Sequence, residues 1–205
     1  MALKKSGCFQ MTKKLYLMRH GQTLFNQMHK IQGWCDSPLT EAGIKQAQAA
    51  GRYFKEADIH FDAAFCSTAE RTSDTLEIAT NNSLPYTRLK GLREWGFGRF
   101  EGQDEALNPP APYGDFFKYY GGEGQSQVEA RLVKTLTDIM KQTSGQNILA
   151  VSHGGALINF YWGITNKRSE FLPMTNCAIC VYDFADGHFT FKDLIQPTQL
   201  YLEED

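Results

Sequence analysis

The chain has 205 residues, 42% of them hydrophobic, with a formal net charge of -2 and a pI near 6.2. That length and composition suit one globular domain with a sizeable core and exclude a disordered chain. The near-neutral charge gives no basic surplus for a nucleic acid or an anionic membrane, which leaves a small soluble molecule as the expected partner.

Residues 1–12 include Lys4, Lys5, Ser6 and Gln10 and lack the apolar run of a secretory leader. They are expected to form a weakly patterned extension, with translation able to begin at Met11. The apolar run 15–18 predicts a short buried strand, and Thr40 with Glu41 opens a helix to Phe54 with Ile44, Ala47, Ala50 and Gly51 along its inner side. A second strand at 61–66 leads to Ser67, expected to cap a helix over 69–79 with Thr72, Leu76 and Ala79 as inner positions. A weak strand at 86–89 precedes a stretch, 91–124, rich in glycine, proline and aromatic residues. Val128, Leu132, Leu136 and Ile139 then mark a helix over 126–143. A strand at 147–151, a helix at 156–162 and two strands at 178–184 and 188–194, joined at Asp186-Gly187, complete the pattern. Strands alternating with helices predict an α/β fold, a mainly parallel sheet covered on both faces with the last hairpin as an antiparallel edge. No stretch is long and apolar enough to span a bilayer. Five scattered cysteines, Cys8, Cys35, Cys66, Cys177 and Cys180, point to a reducing, cytoplasmic setting.

Two strand ends are the most informative positions. Arg19-His20-Gly21 follows the first strand, and Ser152-His153-Gly154-Gly155 follows the strand at 147–151. Ligands of open α/β sheets bind beyond the carboxyl ends of the strands, so both imidazoles are expected at one crevice. Arg19 adds an always charged, planar fork suited to phosphate. Each remaining candidate, taken alone, has a plainer reading: Arg71 as a helix-surface arginine, Glu94 as an ordinary acid, and Asn26, Gln32 and Ser67 as turn or cap residues. Cys177 and Cys180 have the spacing of a redox or zinc pair, but in a β-like run positions three apart face opposite ways, and no second pair completes a tetrahedral site. His29, His60 and His188 lack partners at ligand spacing and are expected on loops or the surface.

Five blocks nevertheless stand in one order: Arg19-His20-Gly21-Gln22-Thr23 with Asn26; Asp36-Ser37-Pro38-Leu39-Thr40 with Gly43; Ser67 with Arg71-Thr72; Glu94 with Glu101-Gly102; and Ser152-His153-Gly154. In these the chain resembles the histidine phosphatase superfamily, in its phosphoglycerate mutase-like branch, over most of its length. The resemblance implies a three-layer α/β/α sandwich with a six-stranded, mainly parallel sheet, formed as one domain over 1–205 with a specificity loop at 95–125. It further implies a small phosphorylated substrate and neither a metal nor an organic cofactor. Carried over by position, His20 is the nucleophile, Arg19, Arg71 and His153 clamp the phosphate, Glu94 donates the proton, and Asn26, Gln32, Gly33 and Gly154 lie at the substrate.

Elementary chemistry is consistent with these roles. A neutral imidazole attacks phosphorus in line and splits hydrolysis into formation and breakdown of a phosphohistidine. Guanidiniums neutralise the equatorial oxygens and lower the pKa of His20, and a protonated His153 would donate one more hydrogen bond. A carboxyl with the ordinary pKa of about 4.3 is only about 0.2% protonated at pH 7. Either phosphate, Trp95 and Phe97 raise the pKa of Glu94, or activity peaks in acid.

The segment 101–123 holds Lys118 as its only cation against Glu101, Asp104, Glu105, Asp115 and Glu123, a balance that repels a polyanion. Phe116, Phe117, Tyr119 and Tyr120, beside Pro109, Pro110 and Pro112, suit an apolar or aromatic leaving group, or else anchor the loop to the core. Phosphomonoester hydrolysis is therefore expected. The alternative is a mutase that passes phosphate between hydroxyls; a catalytically silent phosphate-binding module is a third reading, against which the intact His20, Glu94 and arginines speak. Glu123 and Ser126 are spaced apart from the family's pattern, which leaves that pair without an assigned role, and the sequence carries no signal for oligomeric state.

Overall fold

In a computed structural model that describes residues 12–168 and 170–202, six strands share one sheet. They are β1 (Lys13–Arg19), β2 (Ala63–Ser67), β3 (Tyr86–Leu89), β4 (Asn147–Ser152), β5 (Ile179–Ala185) and β6 (His188–Ile195). Their spatial order is β3-β2-β4-β1-β5-β6. Parallel pairing joins β3 to β2, β2 to β4 and β4 to β1, whereas β5 pairs antiparallel with both β1 and β6. The helices are α1 (Leu24–Gln27), α2 (Glu41–Glu56), α3 (Glu70–Ala79), α4 (Gln125–Gln142), α5 (Gly154–Thr165) and α6 (Pro197–Tyr201). Met11, Cys8 and the rest of the expected N-terminal extension up to Met11 lie outside the described residues.

Side-chain alternation along the strands divides the core into two layers. Leu15 and Leu17 of β1 and Ile148 and Ala150 of β4 pack with Leu132 and Leu136 of α4 and with Leu157 and Phe160 of α5. Their neighbours Tyr16, Met18, Leu149 and Val151 face the other way, onto Ala47, Ala50 and Phe54 of α2 and Leu76 of α3. Helices thus cover both faces, giving the expected three-layer α/β/α architecture. Cys177 and Cys180 fall into different layers, and both are buried and free. The β5–β6 turn falls at Asp186-Gly187, where φ is +52° and +82°, the left-handed pair a tight hairpin requires.

Four local expectations are corrected. Ile44 is exposed, and Gly43 takes the inner position of α2; there a Cβ would stand 2.1 Å from the Gln22 carbonyl oxygen, so glycine is required by backbone contact, which a hydrophobic pattern does not register. Ser67 does not occupy the N-cap of α3; Ala69 does, without a side-chain cap. The cap comes from far away, as Asp36 Oδ2 accepts from the Glu70 amide at 2.5 Å. The helix expected at 156–162 begins at Gly154, immediately after β4. Finally, the stretch at 91–124, read as a loop, carries short 3-10 turns at Gly98–Phe100, Glu105–Leu107 and Phe116–Tyr120, after a first one at Lys90–Leu92 that runs into it. No helix among the described residues is long and apolar enough to cross a membrane.

Candidate active site

The two histidines meet because β1 and β4 are adjacent and parallel, with Arg19 opposite Ser152. One residue further on, the His20 amide donates to Ser152 O at 3.0 Å, and the rings of His20 and His153 lie 5.3 Å apart, edge to face. Both are buried. His20 Nδ1 lies 2.7 Å from the carbonyl oxygen of Gly21. A carbonyl only accepts, so Nδ1 carries the proton and the lone pair resides on Nε2. Burial, then Arg71 and Arg19, hold the His20 pKa well below its ordinary value, keeping the ring neutral.

Arg71, which alone reads as a surface residue, is completely buried. Its Nη1 donates to Cys35 O at 2.9 Å and Asp36 Oδ1 at 2.8 Å; its Nη2 donates to Gly33 O at 2.8 Å and His153 Nδ1 at 2.9 Å. The helix-surface expectation fails because the loop at 33–36 folds over α3 and supplies the acceptors. Since a guanidinium only donates, His153 Nδ1 accepts and its proton sits on Nε2. Burial and Arg71 push the His153 pKa well down, so the condition of a protonated ring is not met; the neutral ring still presents one N–H. Three donors are buried without an acceptor, Arg19 Nε, Arg71 Nε and His153 Nε2. Orphaned donors in such a cluster fit an anion.

Glu94 is buried beside them. Its Oε1 accepts from the Trp95 amide and its Oε2 from the Gly155 amide, both at 2.8 Å. Gly155 is in the first turn of α5, where amides have no partner within the helix; the early start of α5 therefore serves the acid. Burial raises the Glu94 pKa, against the opposing pull of those two amides and of Arg71 and Arg19.

A cavity of about 550 Å3 adjoins this cluster, with Arg19, His20, Gln32, Glu94 and Gly154 in its wall. Gly33 and His153 instead line a separate hollow of about 270 Å3, with Glu94 common to both. Gln32 is held on both sides, accepting from Thr23 Oγ1 and donating to Ser37 Oγ. Asn26 lines neither; its Oδ1 accepts from the Thr23 amide in a capping box at α1 and from Asn176 Nδ2, so the plainer reading describes its contacts. Gly154 leaves room for Arg19, whose Nε would lie 3.2 Å from an added Cβ.

The acidic segment does not act as its composition suggests. Glu101 accepts from the amides of Gly33, Trp34, Cys35 and Phe97. Asp104 pairs with Lys30, Asp115 with Lys118 and Glu123 with Arg131. Glu105, facing His29, is the one of the five that lines the cavity. Of the two aromatic readings, the anchoring one fits the contacts: Phe116, Phe117, Tyr119 and Tyr120 are absent from the cavity wall, whose aromatics are Trp95, Phe97, Tyr113, Trp162 and Phe171. Phe117 is buried among Trp95, Phe97, Phe100 and Tyr113, with ring centroids 4.7–6.1 Å away, and anchors the loop. Glu101, Asn108, Tyr113, Ile158, Asn159, Trp162 and Phe171 escape the sequence reading of the site. Only Glu101 gave a signal, as part of Glu101-Gly102; the others reach the cavity through tertiary packing. Among the described residues, no group of three or more histidine, cysteine, aspartate or glutamate side chains could hold a metal ion.

Comparison with known proteins identifies the family and the fold. A sequence model of the histidine phosphatase superfamily (branch 1) matches residues 15–196. The 2,3-bisphosphoglycerate-dependent phosphoglycerate mutase of Methylobacterium radiotolerans is 33% identical over 193 residues, covering 84% of this chain and 90% of that protein. The metal-independent phosphoserine phosphatase of Arabidopsis thaliana is 34% identical over 169 residues, covering 76% and 70%. The solved structure of phosphoglycerate mutase from Bacillus anthracis str. Sterne superposes with a TM-score of 0.79 at 26% identity, covering 89% of this chain and 92% of that one.

Proposed function

The chain belongs to branch 1 of the histidine phosphatase superfamily, and we propose that within it the protein is a phosphomonoester hydrolase working through a phosphohistidine on His20. The observation that carries the reading is the buried set of three unpartnered donors, Arg19 Nε, Arg71 Nε and His153 Nε2, around an imidazole whose lone pair is fixed on Nε2 by the Gly21 carbonyl.

In the first step His20 Nε2 forms a bond to phosphorus as the ester P–O bond breaks. The three donors stabilise charge on the equatorial oxygens, and Glu94 gives its proton to the leaving oxygen. In the second step the Glu94 carboxylate takes a proton from water as that water attacks phosphorus. The P–N bond breaks, the electron pair returns to Nε2, and inorganic phosphate leaves. Water is favoured over a second phosphorylated acceptor because Arg19 is the one cation among the described residues lining the cavity and Glu105 lines it too; a polyanionic phosphoglycerate finds repulsion where a mutase needs a grip.

Product analysis on purified protein tests this reading. With 3-phosphoglycerate, 2,3-bisphosphoglycerate and a panel of phosphomonoesters, inorganic phosphate should form without isomer exchange. Rapid exchange with little phosphate would make the protein a mutase, and phosphate binding without turnover on any ester would make it a binding module.

A further inference from the structure

Resting on the phosphatase reading, we infer that the leaving alcohol is a mostly apolar group that carries a hydrogen-bond donor for Asn159 and no second anionic group. Asn159 lines the cavity beside His20 and Glu94 and is 1% exposed. Its Nδ2 donates to Gly155 O at 2.7 Å. That bond fixes the amide, since a flip would set two carbonyl oxygens against each other. Its Oδ1 is buried without a partner. Buried acceptors in native proteins are almost always satisfied, so an orphan in a substrate cavity marks a place where the ligand supplies the hydrogen.

The placement of Asn159 says where on the substrate that donor lies. Gly155, whose amide holds the Glu94 carboxylate, is four positions before Asn159 on α5, so the two share a face about one helical turn, roughly 5 Å, apart. Because Glu94 serves the ester oxygen, the donor belongs roughly that far along the leaving group. Two further acceptors line the same cavity, Asn108, whose Oδ1 is also buried without a partner, and the Glu105 carboxylate. Arg19, the one cation lining the cavity among the described residues, already donates from Nη1 to Met174 O and keeps Nε for the phosphoryl group. No second cation among the described lining residues is left to pair with a carboxylate or a second phosphate.

Apart from Gln32 and Thr175, the rest of the wall is largely apolar. Trp95, Phe97, Tyr113, Ile158, Trp162 and Phe171 enclose the space beyond the catalytic cluster. Phe171 is 75% exposed, a large apolar surface that a ligand would cover. Its position is anchored through the preceding residue: Glu170 O accepts from Trp162 Nε1 and its carboxylate from Tyr161.

The test compares three aryl phosphates with phenols of similar acidity on the full-length protein: 3-(hydroxymethyl)phenyl, 3-ethylphenyl and 3-carboxyphenyl phosphate. The hydroxymethyl ester should exceed the ethyl ester in kcat/KM by about tenfold or more, and the carboxyl ester should fall below the ethyl ester by about tenfold. In Asn159→Leu the hydroxymethyl-to-ethyl ratio should collapse towards one. Wild-type ratios near one, or a carboxyl ester turned over best, would overturn the inference while leaving the hydrolase reading intact. No hydrolysis of any ester would overturn both. Should Asn159→Leu fail to fold, the wild-type ratios alone decide.

Discussion

Replacing Glu94 by glutamine removes the proposed proton donor while keeping its shape, and its two consequences separate cleanly. The carboxylate accepts one backbone amide on each oxygen, from Trp95 and Gly155, both at 2.8 Å. Glutamine has one carbonyl oxygen, so one of the two amides faces an NH2 group, at a cost of about 1–3 kcal/mol for a buried unsatisfied donor. Against that, burial penalises the native carboxylate, as its raised pKa records, and the neutral side chain escapes that penalty. The terms oppose each other and the fold should survive, which a urea titration checks. Catalysis should divide by leaving group. An alkyl phosphate, whose alkoxide departs only when protonated, should lose about 10²–10⁴-fold in kcat/KM, whereas 4-nitrophenyl phosphate, whose phenolate leaves unaided, should lose about tenfold or less. Steady-state kinetics on both esters, with circular dichroism on the variant, reads the difference. Equal losses on the two esters would take Glu94 out of the acid role.

The depressed His20 pKa and the raised Glu94 pKa should give a bell-shaped kcat/KM profile. Its acid limb belongs to His20 and its alkaline limb to Glu94, with an optimum below neutrality; an alkaline optimum refutes the assignment. The same groups bear on stability. The unfolded chain protonates His20 and His153 near pH 6.5 while the folded chain does not. Stability should therefore fall as pH drops below about 6.5, each histidine contributing up to about 1.4 kcal/mol per pH unit, with the raised Glu94 pKa partly offsetting this nearer pH 5. Urea midpoints unchanged from pH 7 to 5 would contradict that. Glu101→Gln offers one acceptor oxygen to the four amides the carboxylate now serves. It should lower Tm by about 5 °C, for a loss of about 2 kcal/mol, and raise KM because the loop at 33–36 carries the acceptors of Arg71. An unchanged KM would separate that loop from the proposed phosphate clamp.

Much of this was legible in the chain because strand ends, hydrophobic runs and turn residues are local. The apolar runs at 15–18 and 147–151 place His20 and His153 each at a strand end, while the pairing that makes those ends neighbours is tertiary, and Asp186-Gly187 marks the hairpin without help from packing. What stayed hidden depends on contacts across long separations. Arg71 looks like a surface residue until the loop at 33–36 folds over it, and the cap of α3 comes from Asp36. The acidic count of 101–123 misled because charge in a sequence says nothing of its consumption: Glu101 alone serves four backbone amides. Asn159 is invisible to pattern reading, an amide in the middle of an apolar helix whose importance lies in one unpaired oxygen.

The central claim is a phosphoryl group carried by His20 and taken by water, and a rapid-quench single turnover with a labelled alkyl phosphomonoester tests it most directly. Quenching into base preserves a phosphohistidine for peptide mapping. A transient label on His20, absent from His20→Ala and decaying at the rate at which inorganic phosphate appears, is the predicted result. Label on another residue, or phosphate released at full rate with no phosphoenzyme, would contradict it.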